Sequence, residues 1–321
     1  MNDFEYLQPQ SVEKASNYLS KNSKSILYAG GTDILGLMKD DIFNYTQLVN
    51  LKNIESLNYI KYDENVGLKI GALTKLSEIE KNETVKKYAE LLQLSVKEIA
   101  TPQLRNAATI GGNICQRPRC FYFRGEYNCI RKGGDTCFAV MGNNKYHCII
   151  GGGPCYIVHP SDSAVALLAL NAKFKINDGK NEKVVSAKDF FILPVVDDQK
   201  ENILKSGEIL TEIIIPNSGN KISKFIKIKE RGAWDFALLS IAGIFDIKDK
   251  IIKSGKITFG GVAPIPWEEE GINKELINFK IDDENINKLS NSVFAKAEAL
   301  DMNSYKIILA KNLIKKILLD I

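Results

Sequence analysis

TPQLRNAATIGGNICQRPRCFYFRGEYNCIRKGGDTCFAVMGNNKYHCIIGGGPCYIVHPSDS, running from Thr101 to Ser163, is the stretch on which the reading of this chain turns. All six cysteines and both histidines, His147 and His159, lie in it. Glycine and proline interrupt it too often for one helix or strand. It is also long for a loop inside a compact domain, and long loops are usually functional. Something must order it, and a bound inorganic cluster held by cysteines would do so. The cysteines are Cys115, Cys120, Cys129, Cys137, Cys148 and Cys155, and no two have C-x-x-C spacing. That speaks against a zinc ribbon or a ferredoxin-type run. Arg117, Arg119, Arg124, Arg131 and Lys132 lie around Cys120 and Cys129. Cationic neighbours favour the thiolate that a cluster ligand must be. On charge and spacing, an iron–sulfur site, a zinc site and unligated thiols all stay open. His147 and His159 each suit a ligand, a base or an ordinary buried role.

Upstream, Ser25–Ala29 (SILYA) reads as a short buried strand running into Gly30-Gly31-Thr32-Asp33 and a helix start, ILGLM. Strand, glycine turn and helix bring backbone N–H groups close to a phosphate. Gly30 and Gly31 allow a close approach, Thr32 offers a hydroxyl and Asp33 suits a cap, although the same pattern serves a plain tight turn. AATIGGN at 107–113 is a second small-residue segment, so the two suggest backbone-lined walls around one ligand. Ser11 suits an N-cap for the helix SVEKASNYL. Strands are expected at 47–51 and 67–71, a helix from Thr74, and a second helix to about Ile99. The alternation implies mixed sheets with covering helices.

Downstream, Asp162 is read as the N-cap of DSAVALLALNA. Asn177-Asp178-Gly179-Lys180 is a hairpin turn signal, Ser186 caps a short helix, and EILTEIII at 208–215 is a β-branched strand. Composition shifts at Asn217-Ser218-Gly219-Asn220, taken as a domain boundary. Beyond it come strands at 225–229, 238–247 and 256–260, then helices at 284–298 and 303–320. The fold class is α+β.

The 321 residues suffice for two or three domains, and 45% hydrophobic content allows a sizeable core. A net charge of +4 with both signs interspersed is no footprint for nucleic acid. The start MNDFEYLQPQS lacks the features of a signal peptide, and no run approaches the roughly 18 apolar residues of a membrane span. A cytoplasmic, reducing setting is expected, where clustered cysteines favour metal over disulfides.

AGGTDIL, RNAATIGGNI, HPSDSAVALLAL and EILTEIIIP, in this order, resemble the FAD-binding medium subunit of the molybdenum hydroxylases, the xanthine dehydrogenase family. FIKIKERGAWDFALLSIAGIF, FGGVAPIPW and NSYKIILAKNLI look like its C-terminal domain, so the resemblance covers nearly the whole chain. It implies a two-subdomain FAD-binding domain of the PCMH, or vanillyl-alcohol-oxidase-like, type at 1–217, divided into 1–55 and 56–217. An α+β domain of the CO dehydrogenase flavoprotein type follows at 218–321. The insertion at about 115–156, absent from most members, is similar to that of periplasmic aldehyde oxidoreductases and of 4-hydroxybenzoyl-CoA reductase, where it carries a [4Fe–4S] cluster. That resemblance implies Cys120, Cys129, Cys137 and Cys155 as ligands and leaves Cys115 and Cys148 as buried thiols.

The same resemblance implies that Leu27, Tyr28, Ala29, Gly30, Gly31, Thr32 and Asp33 wrap the FAD pyrophosphate. Thr109, Gly112 and Asn113 form the second wall. Asp162 holds the ribityl or adenine side, Ile209 or Leu210 lies by the adenine, and Lys227 reaches the flavin ring edge. Trp234 and Phe236 pack either by the isoalloxazine or in the core. No catalytic residue is assigned. In the family a large molybdenum-cofactor subunit transforms the substrate and a small subunit carries two [2Fe–2S] clusters. The medium subunit then passes electrons to an external carrier, ferredoxin or NAD. Aldehyde or N-heterocycle oxidation is the favoured activity. A 4-hydroxybenzoyl-CoA reductase-type enzyme with inward flow is the alternative within the family. A zinc- or cluster-stabilised, non-catalytic binding or redox-sensor module is the alternative outside it. Some relatives are exported folded with a partner that carries the signal, so the periplasm stays open as a second location.

Overall fold

The computed structural model describes residues 2–321, leaving Met1 outside the described residues. Its strands sort into three sheets in chain order. β1 (Glu5–Leu7), β2 (Ser25–Tyr28) and β3 (Gln47–Asn50) form a small parallel sheet with order β1-β3-β2. β4 (Ile60–Asp63), β5 (Gly67–Gly71), β6 (Lys173–Asn177), β7 (Glu182–Ser186) and β8 (Ile209–Ile215) form an antiparallel sheet, order β4-β5-β8-β6-β7. β9 (Ile222–Ile228), β10 (Leu239–Lys248), β11 (Ile251–Gly260) and β12 (Phe279–Lys280) form a second antiparallel sheet, order β12-β11-β10-β9. The α+β class holds. The expectation of mixed sheets does not, because parallel and antiparallel pairings segregate completely into separate sheets.

Local chemistry explains most elements. Ser11 caps Val12–Lys21 by accepting from Lys14 N, and Ser186 caps Ala187–Phe190 by accepting from Asp189 N. The Asp178-Gly179 turn joins β6 to β7, with Gly179 at φ 88°. β8 reads ILTEIII and sits mid-sheet; buried on both faces, it lacks the polar alternation of a half-exposed strand. The helix Asp162–Ala169 is buried at every residue and packs against β10 and β11. It thus glues the middle sheet to the last one, each large aliphatic side chain contributing about 1.5–3 kcal/mol. The core around it accordingly runs on to Ala242 and Ile244 of β10. A second core lies between the last sheet and Tyr305–Leu319.

Several boundaries differ from expectation. The single helix expected to reach Ile99 is two, Glu83–Tyr88 and Glu90–Lys97, broken at Ala89 where ψ swings to 48°. The third C-terminal strand extends back to Ile251, because it turns tightly out of β10 through Asp249 and Lys250, both at positive φ. The helix expected over 284–298 stops at Ser292. The N-cap of the buried helix is Ser161, whose hydroxyl accepts from Ala164 N at 3.1 Å, so Asp162 stands one place inside it.

Candidate functional site

A cavity of about 560 Å³ opens between the first sheet and the middle one, a size that suits a small-molecule ligand. Its first wall is Leu27 and Ala29 to Asp33, its second Thr109 and Gly111 to Asn113, and its third the segment from Gln199 to Leu210. The two glycine segments touch each other. A Cβ on Gly30 would lie 2.2 Å from Ala107 O, so only glycine permits this approach of two backbones. Gly31 takes φ 73°, the left-handed region that turns strand into helix. In the second wall Thr109 accepts from Gly112 N at 3.2 Å. Asn113 Oδ1 accepts from Ser161 and Ser163 at 2.6 and 2.5 Å, tying this wall to the buried helix.

Charge in the cavity wall is organised around two carboxylates. Asp33 makes no cap bond to its own helix. It accepts instead from Arg117 N at 2.8 Å, and pairs with Arg119 at 2.9 Å and Arg124 at 2.6 Å. Glu201, buried, takes Arg117 at 2.9 Å and Arg131 at 2.7 Å. The cavity lining carries Arg117, Arg119, Lys200 and Lys205 against Asp33, Glu201 and Glu208, which leaves this wall net positive. Burial pulls Arg119 down to about 10, Asp33 opposing and Arg124 adding to the effect. All four arginines expected to surround the cysteines therefore pair with the cavity carboxylates. Their partners are remote in sequence, which spacing does not disclose.

Arg131 is the arginine that turns to a thiol. Its Nη1 lies 3.7 Å from Cys155 Sγ, and its remaining N–H groups go to Glu201, Asp198 O and Lys200 O. Burial works against its charge, but Glu201 and Cys155 outweigh it and hold the guanidinium above its ordinary pKa. All six cysteines are unbridged. Cys155 hydrogen-bonds to Cys137, pulling the Cys137 thiol down and pushing its own up. Backbone N–H groups of Tyr156 and Ala139 lower the Cys137 thiol, and those of Tyr122 and Phe123 work to lower Cys120. Burial nevertheless raises Cys120 to about 11, with the nearby Cys137 and Cys129 adding to the rise. Cys120 Sγ also lies 3.3 Å from His147 Nε2. Among the described residues no group of three or more His, Cys, Asp or Glu side chains is arranged to hold a metal ion. Cys115 and Cys148 are raised by burial to about 12 each, as inert thiols are.

The C-terminal domain grips the far end of this loop. Lys306 is fully buried and donates to Tyr146 O, His147 O and Gly261 O at 3.1, 2.9 and 2.6 Å. Asn303 Nδ2 donates to His147 O and Cys148 O, and Tyr305 to Lys145 O. Ile149 enters the C-terminal core outright.

A smaller cavity, about 190 Å³, is lined by Arg119, Cys120, His147, His159, Asp162 and Phe236, among others. Arg119 lines both cavities and lies 5.0 Å over the Phe236 ring. Ile209 and Leu210 line the large cavity, but Tyr28 turns away to Lys52 and Tyr6. Asp162 faces the small cavity, where burial lifts its pKa despite Lys227. Lys227 itself lines neither cavity, being buried against Asp162 at 2.7 Å and Glu98 O at 3.0 Å. Trp234 and Phe236 are exposed, so neither is core. His159 is buried neutral: burial, with Arg131 adding, takes it to about 3. The sequence carried no signal for Glu201, and Asn303 and Lys306 stood in the NSYKIILAKNLI motif without a role, because their partners lie far along the chain.

Residues 2–218 match the family described as the FAD binding domain in molybdopterin dehydrogenase, and residues 224–321 match the CO dehydrogenase flavoprotein C-terminal domain. The chain is 30% identical to the aldehyde oxidoreductase FAD-binding subunit PaoB of Escherichia coli K12, over 100% of this chain and 98% of that protein. It is 26% identical to the glyceraldehyde dehydrogenase medium chain of Sulfolobus acidocaldarius, over 91% and 87%. In fold it is similar to a chain of carbon monoxide dehydrogenase from Hydrogenophaga pseudoflava. The TM-score is 0.78 at 23% identity, covering 98% of this chain and 96% of that one.

Proposed function

This chain belongs to the FAD-binding medium subunits of the molybdopterin dehydrogenase family, oxidoreductase subunits whose substrate chemistry lies on another subunit, and from that premise we propose how it works. It carries FAD in the large cavity and a [4Fe–4S] cluster on Cys120, Cys129, Cys137 and Cys155. Through them it passes electrons between a small [2Fe–2S] subunit and an external carrier, ferredoxin or NAD. Residues 1–217 hold the cofactors, and 218–321 clamp the cysteine loop and close the small cavity.

The observation that carries the reading is the net-positive wall of glycine segments and arginines around Asp33 and Glu201. A diphosphate suits it: the backbone approaches closely at Gly30 and Gly31, and Arg117 and Arg119 offset its charge. Ile209 and Leu210 give an apolar floor for an adenine, and Asp162 lines the small cavity that shares Arg119 with the large one. The cysteine loop fits thiolate ligation in its donor set. Arg131 donates to the sulfur of Cys155 at 3.7 Å and His147 lies 3.3 Å from that of Cys120, and hydrogen bonds to sulfur are among the levers that tune such a cluster. Bound FAD exchanges electrons singly or in pairs and a cubane exchanges one at a time, so together they join a two-electron reaction to one-electron partners.

The 30% identity to an aldehyde oxidoreductase subunit along the full chain favours an aldehyde as the substrate of the assembly. The large molybdenum subunit and the small iron–sulfur subunit complete it, in the cytoplasm. No helix among the described residues is long and apolar enough to cross a membrane.

Anaerobic purification of the chain with its genomic neighbours, followed by flavin, iron, zinc and molybdenum counts, tests the proposal. About one FAD and about four irons per medium chain are expected, with aldehyde bleaching the flavin in the assembly. Flavin without iron would remove the cluster, and zinc in its place would reassign the cysteines. Reduction by a low-potential donor but not by any aldehyde would reverse the electron flow.

A further inference from the structure

We propose that Arg131 sets the reduction potential of the cluster, and that Glu201 sets how much of the Arg131 charge the cluster feels. The inference rests on the four-cysteine reading above. Arg131 stands two residues after one proposed ligand, Cys129, and its Nη1 reaches the sulfur of another, Cys155, at 3.7 Å. Its side chain is 1% exposed. It is also immobilised: Asp198 O accepts from Nη1 at 2.7 Å, Lys200 O from Nη2 at 2.8 Å and Glu201 from Nε at 2.8 Å. A guanidinium held in this way is a fixed charge, and water does not screen it.

The other cations of the loop are spent elsewhere. Arg117, Arg119 and Arg124 pair with Asp33 and Glu201, Lys145 pairs with Glu230, and Lys132 donates to Gly125 O. Reducing a cluster adds one negative charge. A cation hydrogen-bonded to a ligand sulfur therefore stabilises the reduced form and raises the potential. Glu201 opposes this, but it divides its charge between Arg131 and Arg117. The same carboxylate lines the large cavity, so the charge beside the sulfur and the charge beside the flavin site share a counter-ion.

The experiment is a redox titration of the anaerobic holo-complex followed by electron paramagnetic resonance, with iron and flavin counted in each sample. Arg131→Met keeps the volume and removes the charge. Its cluster should be harder to reduce, the one-electron equilibrium shifting by about tenfold, or about 59 mV. Glu201→Gln keeps the acceptor and removes the opposing charge, so its shift should have the opposite sign. Arg131→Lys should fall between wild type and Arg131→Met. Iron-replete Arg131→Met and Glu201→Gln at the wild-type potential would overturn this inference alone. Loss of iron from both would overturn it in favour of a purely structural anchor. Wild-type protein without iron would sink the cluster reading, and this inference with it.

Discussion

The first wall of the large cavity, Leu27 to Asp33, is shaped by its own glycines, whereas the neighbouring cysteine loop is shaped by side chains sent from elsewhere. Gly30 and Gly31 act on the backbone beside them, through a missing Cβ and a positive φ. The loop takes its shape from Lys306 and Asn303 of the C-terminal domain and from Glu201 in the segment between β7 and β8. The difference teaches where damage should travel. A fault in the glycine wall should strike flavin binding directly. A fault in a remote anchor should loosen the loop and leave the wall standing.

The largest effect is expected at the wall. Gly30→Val puts a branched side chain where a Cβ alone would meet Ala107 O at 2.2 Å. The two walls must part, at about 3 kcal/mol, and flavin should be lost on gel filtration. Retained flavin with unchanged thermal stability would show that the walls do not need their close approach.

Lys306→Met is the matching break on the other side. Three backbone carbonyls lose their donor in a fully buried site. Destabilisation of about 1–3 kcal/mol is expected, read by denaturant unfolding. Iron should fall before flavin, and hydrogen exchange should rise at 144–148 rather than at 27–33. Flavin falling first would contradict the division between the two regions.

A smaller, graded effect lies where the regions meet. His159 is buried with a folded pKa of about 3, pulled down by burial and then by Arg131. Its unfolded value is near 6.5. Between these pH values the unfolded chain binds a proton that the folded chain does not. Stability is therefore full above about pH 6.5 and falls as the pH drops toward 3, by up to about 1.4 kcal/mol per pH unit. His159→Gln should flatten the unfolding free energy between pH 6.5 and 4 by this amount. Parallel curves for the two proteins would show that His159 takes no part in the acid sensitivity.

What was legible in the sequence follows the same line. Ser11, Ser186 and the Asp178-Gly179 turn act within four residues, and the structure shows each doing so. The α+β class followed from strands and helices whose patterns are local too. Asp33 misled because its residue type and position suit a cap, while its carboxylate is taken by arginines at 117, 119 and 124. Asp162 misled by one residue, since Ser161 beside it is an equally good cap. Lys227 was placed at a flavin edge, and its burial against Asp162 is a contact across 65 residues. Glu201 carried no motif at all, and Lys306 stood in the NSYKIILAKNLI motif with no role assigned to it. A carboxylate in a loop and a lysine in an amphipathic helix look like solvated charges until the fold closes over them.

The measurement that tests the account most directly is the cofactor content of Cys129→Ser, purified without oxygen beside the wild type. Cys129 is buried in the loop and lines neither cavity. The account predicts that iron falls from about four per chain to near zero while about one flavin per chain is retained, because Cys129 belongs to neither glycine wall. Iron unchanged from wild type, or flavin lost together with the iron, would contradict it.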